Sequence, residues 1–79
     1  MERKQYLELC QKVSILRNEI YNNKDNISNE LKVIFNGVIY YPMAYELSFK
    51  LGQVVHKAIL HDLKSNSIIY ADLNKVDKL

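Results

Sequence analysis

Leu31-Lys32-Val33-Ile34-Phe35-Asn36-Gly37-Val38-Ile39-Tyr40-Tyr41 is the stretch that decides the fold of this 79-residue chain. Two short apolar runs flank Asn-Gly, the dipeptide favoured in two-residue type I′ hairpins because both turn residues must take positive φ. A two-residue loop sets Phe35 opposite Val38 and Val33 opposite Tyr40. Those four then share one face with Leu31, while Lys32, Ile34, Ile39 and Tyr41 share the other.

Downstream the same period of two continues. Pro42 lacks an N–H, so it ends this strand or marks an edge or bulge. Over Ala44–Lys50, Tyr45, Leu47 and Phe49 alternate cleanly with Glu46 and Ser48. A glycine turn at Leu51-Gly52 leads into Val54–His61, apolar on both faces and therefore expected to be a central strand. Lys64-Ser65-Asn66 forms a polar turn before Ser67–Ala71. The tail from Asp72 is expected to add a short helical turn or an edge segment.

Upstream the period is 3.6. Tyr6, Leu9, Cys10, Val13, Leu16 and Ile20 fall three or four apart, with Glu2, Lys4, Glu8, Lys12 and Glu19 on other faces, which predicts one amphipathic helix over residues 2–21. Asn22 to Glu30 is rich in Asn, Asp and Ser, whose side chains compete for backbone hydrogen bonds, so residues 22–30 read as a polar loop. The whole chain is expected to be one α+β domain. Its helix packs on a curled antiparallel sheet of about five strands over residues 31–73, a meander or a small SH3-like barrel, with a short tail at 74–79. The alternative is an open sheet whose second face forms a dimer.

A hydrophobic content of 48% and a charged content of 25% are those of a folded domain rather than a disordered chain. The formal charge of +2 falls far below the footprint of a dedicated nucleic-acid binder. One cysteine permits no internal disulfide, and the opening segment is amphipathic rather than continuously apolar, so a cytoplasmic protein with no membrane association is expected. Cys10 lies in the helix's apolar stripe, where packing is its expected role.

No motif calls for catalysis. His56 and His61 are five apart, which on a strand places them on opposite faces and prevents joint chelation of a metal. Gly37 and Gly52 both fit turns, leaving no glycine-rich phosphate loop. His61-Asp62, the scattered serines and Cys10 make no recognisable nucleophile-base pair, and a carboxylate pair of Glu46 with Asp62 has no support from spacing. The expectation is a protein that is not an enzyme and needs no cofactor.

Binding remains. Six tyrosines against two phenylalanines and no tryptophan give the sheet amphipathic rings suited to interfaces. Tyr41 and Ile39 fall on the face opposite the predicted core, and Tyr70, Lys32, Lys57 and Lys64 complete the candidate partner-binding set. The same tyrosines and lysines support one alternative, binding of single-stranded nucleic acid by stacking and phosphate contacts, and a homo-oligomeric accessory protein is the other.

The stretch YYPMAYELSF, Tyr40 to Phe49, with HKAILHDLKSNSIIYADL, His56 to Leu73, and the opening YLELCQK, Tyr6 to Lys12, resembles a group of small uncharacterised proteins of phages and prophages of Gram-positive bacteria. The resemblance implies a setting, not an activity. In that setting the expected role is an anti-defence accessory protein in the host cytoplasm. It would inhibit or modulate a host macromolecular machine, such as a CRISPR or other defence nuclease, by protein–protein contact as a monomer or homodimer.

Overall fold

The computed structural model describes residues 1–22 and 29–79, so residues 23–28 of the expected polar loop lie outside the described residues. The elements run α1 (Arg3–Ile15), α2 (Arg17–Asn22), a 3₁₀ turn (Asn29–Leu31), β1 (Val33–Phe35), β2 (Val38–Lys50), β3 (Gln53–Asp62), β4 (Ser67–Asp72), a second 3₁₀ turn (Leu73–Lys75) and β5 (Asp77–Lys78). The sheet is antiparallel in the order β4-β3-β2-β1-β5, with the helix packed on it. The fold is α+β. The sheet remains open, which corrects the barrel alternative.

The hairpin at Asn36-Gly37 forms as its chemistry requires. Both residues have positive φ, +52° and +75°, and Phe35 pairs Val38, Ile34 pairs Ile39 and Val33 pairs Tyr40. Leu51-Gly52 makes a second turn of the same kind, at +54° and +77°, closing on the pair Lys50↔Gln53.

Two expectations change in detail, and a third is filled out. The single helix is two, since the run from residue 3 stops at Leu16, and α2 then turns Ile20 toward Leu31 and Tyr41. The segments before and after Pro42 are one long strand, because the ladder accommodates the proline with a bulge: Pro42 pairs Leu60, Ala44 pairs Ile59, and Met43 has no partner. The tail supplies both the helical turn and the edge segment that were the alternatives expected of it. Its 3₁₀ turn inserts Leu73 and Val76 into the core, and β5 crosses to the far edge to pair with β1.

The main core lies between α1 and the sheet, where Tyr6 and Leu9 meet Val33, Ala58, Leu60, Ala71, Leu73 and Val76. Tyr6 is fully buried, and its hydroxyl donates to the carbonyls of Ala44 and Ile59 at 2.8 and 2.9 Å, the first ladder pair after the bulge. Burial pushes the Tyr6 phenol far above its ordinary pKa, so the group stays a donor at every ordinary pH. Cys10 packs against the same core, and burial raises its thiol pKa, which makes it a poor nucleophile. The Met1 nitrogen donates to the carbonyls of Leu73 and Val76, fastening the last 3₁₀ turn to the start of α1.

A second cluster, Val13, Ile20, Leu31 and Tyr41, forms beside the bulge. No helix among the described residues is long and apolar enough to cross a membrane.

Candidate functional site

The outer face of the sheet, away from the main core, is built row by row from the strand register. Ile34 and Ile39 make one row, Tyr41, His61 and Ile68 the next, then Ala44, Ile59 and Tyr70, then Glu46, Lys57 and Asp72. Ile39, Ile68 and Tyr70 are each about half exposed or more, Tyr70 reaching 62%. An apolar band spread over three rows is wider than the isolated apolar side chains of an ordinary surface.

Of the six residues singled out from sequence, four line one groove. Lys32, Ile39, Tyr41 and Lys64 gather there with His61 between the β1–β2 hairpin and the β3–β4 turn, around a space of about 470 Å³. Tyr70 and Lys57 lie on the same face, in the rows beyond it.

Tyr41 is not the exposed ring expected from alternation; it is 8% exposed. The physical reason is the shortness of β1. That strand ends at the pair Val33↔Tyr40, so the edge of β2 beyond Tyr40 lacks a neighbouring strand, and Val13, Ile20 and Leu31 close around it onto Tyr41. The Tyr41 hydroxyl is buried with no hydrogen-bond partner among the described residues, and burial raises its pKa. The Lys32 ammonium lies 5.7 Å from the ring centroid, within range of a cation–π attraction. Tyr41 therefore serves as the floor of the groove. Tyr40, expected in the core, is only partly buried against it, and Val38 on the same face is exposed.

The β3–β4 turn is fixed by its own polar side chains. Asp62 accepts from the Lys64 backbone N–H and the Ser65 hydroxyl, both at 3.0 Å, and these bonds hold its carboxyl below the usual range. Asn66 takes a positive φ of +58°, and its Oδ1 lies 2.9 Å from His61 Nε2. Lys57 is engaged differently. It pairs with Asp72 across β3 and β4, and this hydrogen bond lowers the Asp72 pKa. One of the three candidate lysines thus has its charge offset within the chain.

His56 and His61 project from opposite faces, His56 hydrogen-bonding the Tyr45 hydroxyl on the helix side. Among the described residues, no group of three or more His, Cys, Asp and Glu side chains could hold a metal ion.

A feature missed from sequence lies at the far end of β2 and β3. Alternation assigns Tyr45, Leu47 and Phe49 to one inward face, yet β4 pairs with β3 only from Lys57 onward, and β1 reaches only the start of β2. Beyond Glu46↔Lys57 the hairpin is a two-stranded arm with Leu47, Phe49, Leu51 and Val54 exposed, Phe49 at 75% and Leu51 at 95%. The signal in the sequence is the length of the alternating run relative to its neighbours. Compared with protein-family models, curated proteins and solved structures, the chain matches none.

Proposed function

We propose that the chain is a non-catalytic binding protein that engages another protein through the outer face of its sheet, with Ile39, Ile68 and Tyr70 as apolar anchors and Lys32 and Lys64 at the rim. The observation that carries this reading is the presence of three half-exposed large apolar side chains, Ile39, Ile68 and Tyr70, on three successive rows of that face. Aromatic and aliphatic side chains at the centre of a patch with charged groups around it are the usual anatomy of a protein interface. The groove beside Lys32 and Lys64 adds a concave feature for a partner side chain to fill.

The nucleic-acid alternative draws less support. Lys57 is offset by Asp72, and Tyr41, one of the two stacking candidates, is buried. A phage setting, with a host defence machine as target, rests solely on the resemblance of Tyr40–Phe49 and His56–Leu73 to phage-encoded proteins.

The test is capture of partners from bacterial lysate with the wild-type chain and with an Ile39→Ser/Tyr70→Ser variant, both checked for an unchanged fold. One protein is expected at stoichiometric yield with the wild type. Its affinity should fall about 30-fold or more in the variant, matching the roughly 2 kcal/mol of interface hot spots. Binding that instead collapses with modest salt, or that Lys32→Ala/Lys64→Ala abolishes while Ile39→Ser/Tyr70→Ser spares it, assigns the face to nucleic acid.

A further inference from the structure

The β2–β3 arm carries a separate feature. A two-residue turn closes on a hydrogen-bonded pair, here Lys50↔Gln53, so the peptide groups of Lys50, Ser48 and Glu46 point toward β3. Those of Leu47 and Phe49 point the other way. Among the described residues no strand pairs with that side of β2 beyond Tyr40, because β1 ends there. From Tyr45 to Lys50, past Pro42 and the bulge, this edge is unpaired among the described residues, exposes Leu47 and Phe49, and has no proline or inward charge to block edge-to-edge pairing.

We propose that a second copy of this chain pairs with this edge, antiparallel, about a two-fold axis through Ser48. The sequence Glu46-Leu47-Ser48-Phe49-Lys50 is complementary to itself in that register. Glu46 of each copy faces Lys50 of the other, Leu47 faces Phe49, and Ser48 faces Ser48. Hydrogen bonding restricts the choice, since outward-pointing residues must face outward-pointing residues, so the axis falls on a residue rather than between two. Centring on Leu47 would set Lys50 against Ala44, and centring on Phe49 would set Glu46 against Gly52. Neither makes an ion pair. Only the Ser48 register satisfies both charges, and it makes about four reciprocal backbone hydrogen bonds through Leu47 and Phe49.

The same register accounts for Leu51. A leucine at a φ of +54° and 95% exposed is an unfavourable choice for a free turn, where Asn or Gly is preferred. In the paired arms each Leu51 arrives at the ladder position of Tyr45 in the other copy. The two domain bodies then sit at opposite ends of a four-stranded ribbon, so β1 of one copy does not obstruct the arm of the other. This surface is distinct from the outer-face band, and its assignment does not depend on that reading.

Sedimentation of the full chain from low micromolar to millimolar concentration tests the pairing, with melting curves confirming that each variant is folded. The wild type is expected to dimerise. Glu46→Lys should raise the dimer dissociation constant about tenfold or more, because two like-charged pairs replace two ion pairs, and Glu46→Lys/Lys50→Glu should recover most of that loss. Facing residues at a non-hydrogen-bonded antiparallel pair lie close enough for a disulfide. Ser48→Cys in a Cys10→Ala background should therefore oxidise to a covalent dimer. A chain that stays monomeric at every concentration overturns the proposal. A dimer that neither recovers in the double exchange nor cross-links through residue 48 overturns the register, and with it the assignment of this edge.

Discussion

Replacing Tyr6 by phenylalanine removes one oxygen atom, whose single proton is shared between two partly buried carbonyls, those of Ala44 and Ile59, at the point where the β2–β3 ladder resumes after the bulge. The ring itself stays packed. Removing the donor from a hydrogen bond whose acceptor stays out of water costs about 1 to 3 kcal/mol, so Tyr6→Phe should lose about 2 kcal/mol. For a domain of this length that lowers Tm by about 10 °C. Tyr41→Phe is the matched control, because its hydroxyl is also buried but has no partner among the described residues. Removing it should leave Tm unchanged or raise it by a few degrees, since a buried unsatisfied hydroxyl is itself a cost. Thermal melts of both variants by circular dichroism read the contrast directly. If Tyr6→Phe melts with the wild type, or if the two variants fall by the same amount, the hydroxyl of Tyr6 is not what joins helix to sheet.

Gly37→Val should destabilise by about 1 to 2 kcal/mol in a urea titration. A Cβ there meets no atom within 4 Å, so the whole cost is that of a β-branched residue at a φ of +75°. Acid stability should carry the signature of Asp72 and Asp62. Both carboxyls are held below the ordinary range when folded, so their contribution is complete above about pH 4 and is lost as pH falls through the lowered folded values. The urea midpoint gap between wild type and Asp72→Asn should accordingly close in strong acid and shrink in high salt, as both groups are partly open to solvent. A gap that persists in strong acid would assign the Asp72 effect to packing rather than charge.

Much of the sheet is legible in the sequence because its signals are local. Asn36-Gly37 specifies its turn and register, Pro42 marks an irregularity, and Asp62 belongs to the turn that its polar neighbours announce. What alternation cannot supply is the width of the sheet at each level. Leu47 and Phe49 lie on the same face as the core residues Tyr45 and Ala58, yet they project past the reach of β1 and β4 and stand in solvent. Tyr41 is the converse, an outer-face ring buried because a three-residue β1 leaves an edge for Val13 and Ile20 to wrap. The candidate groove is therefore legible through Lys32, Ile39 and Lys64, while its expected centre is its floor. The arm is marked by no motif, and only the length of its alternating run relative to the neighbouring segments signals it.

Met43 has a consequence for how the gene can change. Alternation in β2 runs on even numbers before the bulge, with Tyr40 and Pro42 toward the core, and on odd numbers after it, with Tyr45 and Leu47 on that side. Deleting a residue within the arm would move the turn or reverse the facing of the residues beyond the cut. Deleting Met43 would do neither, since Pro42 already pairs Leu60 and Ala44 already pairs Ile59. Every later residue would keep its partner and its face, and the strand would only straighten. The thirteen-residue strand thus holds one spare position, at a bulge where evolution can shorten the chain without rewriting the sheet.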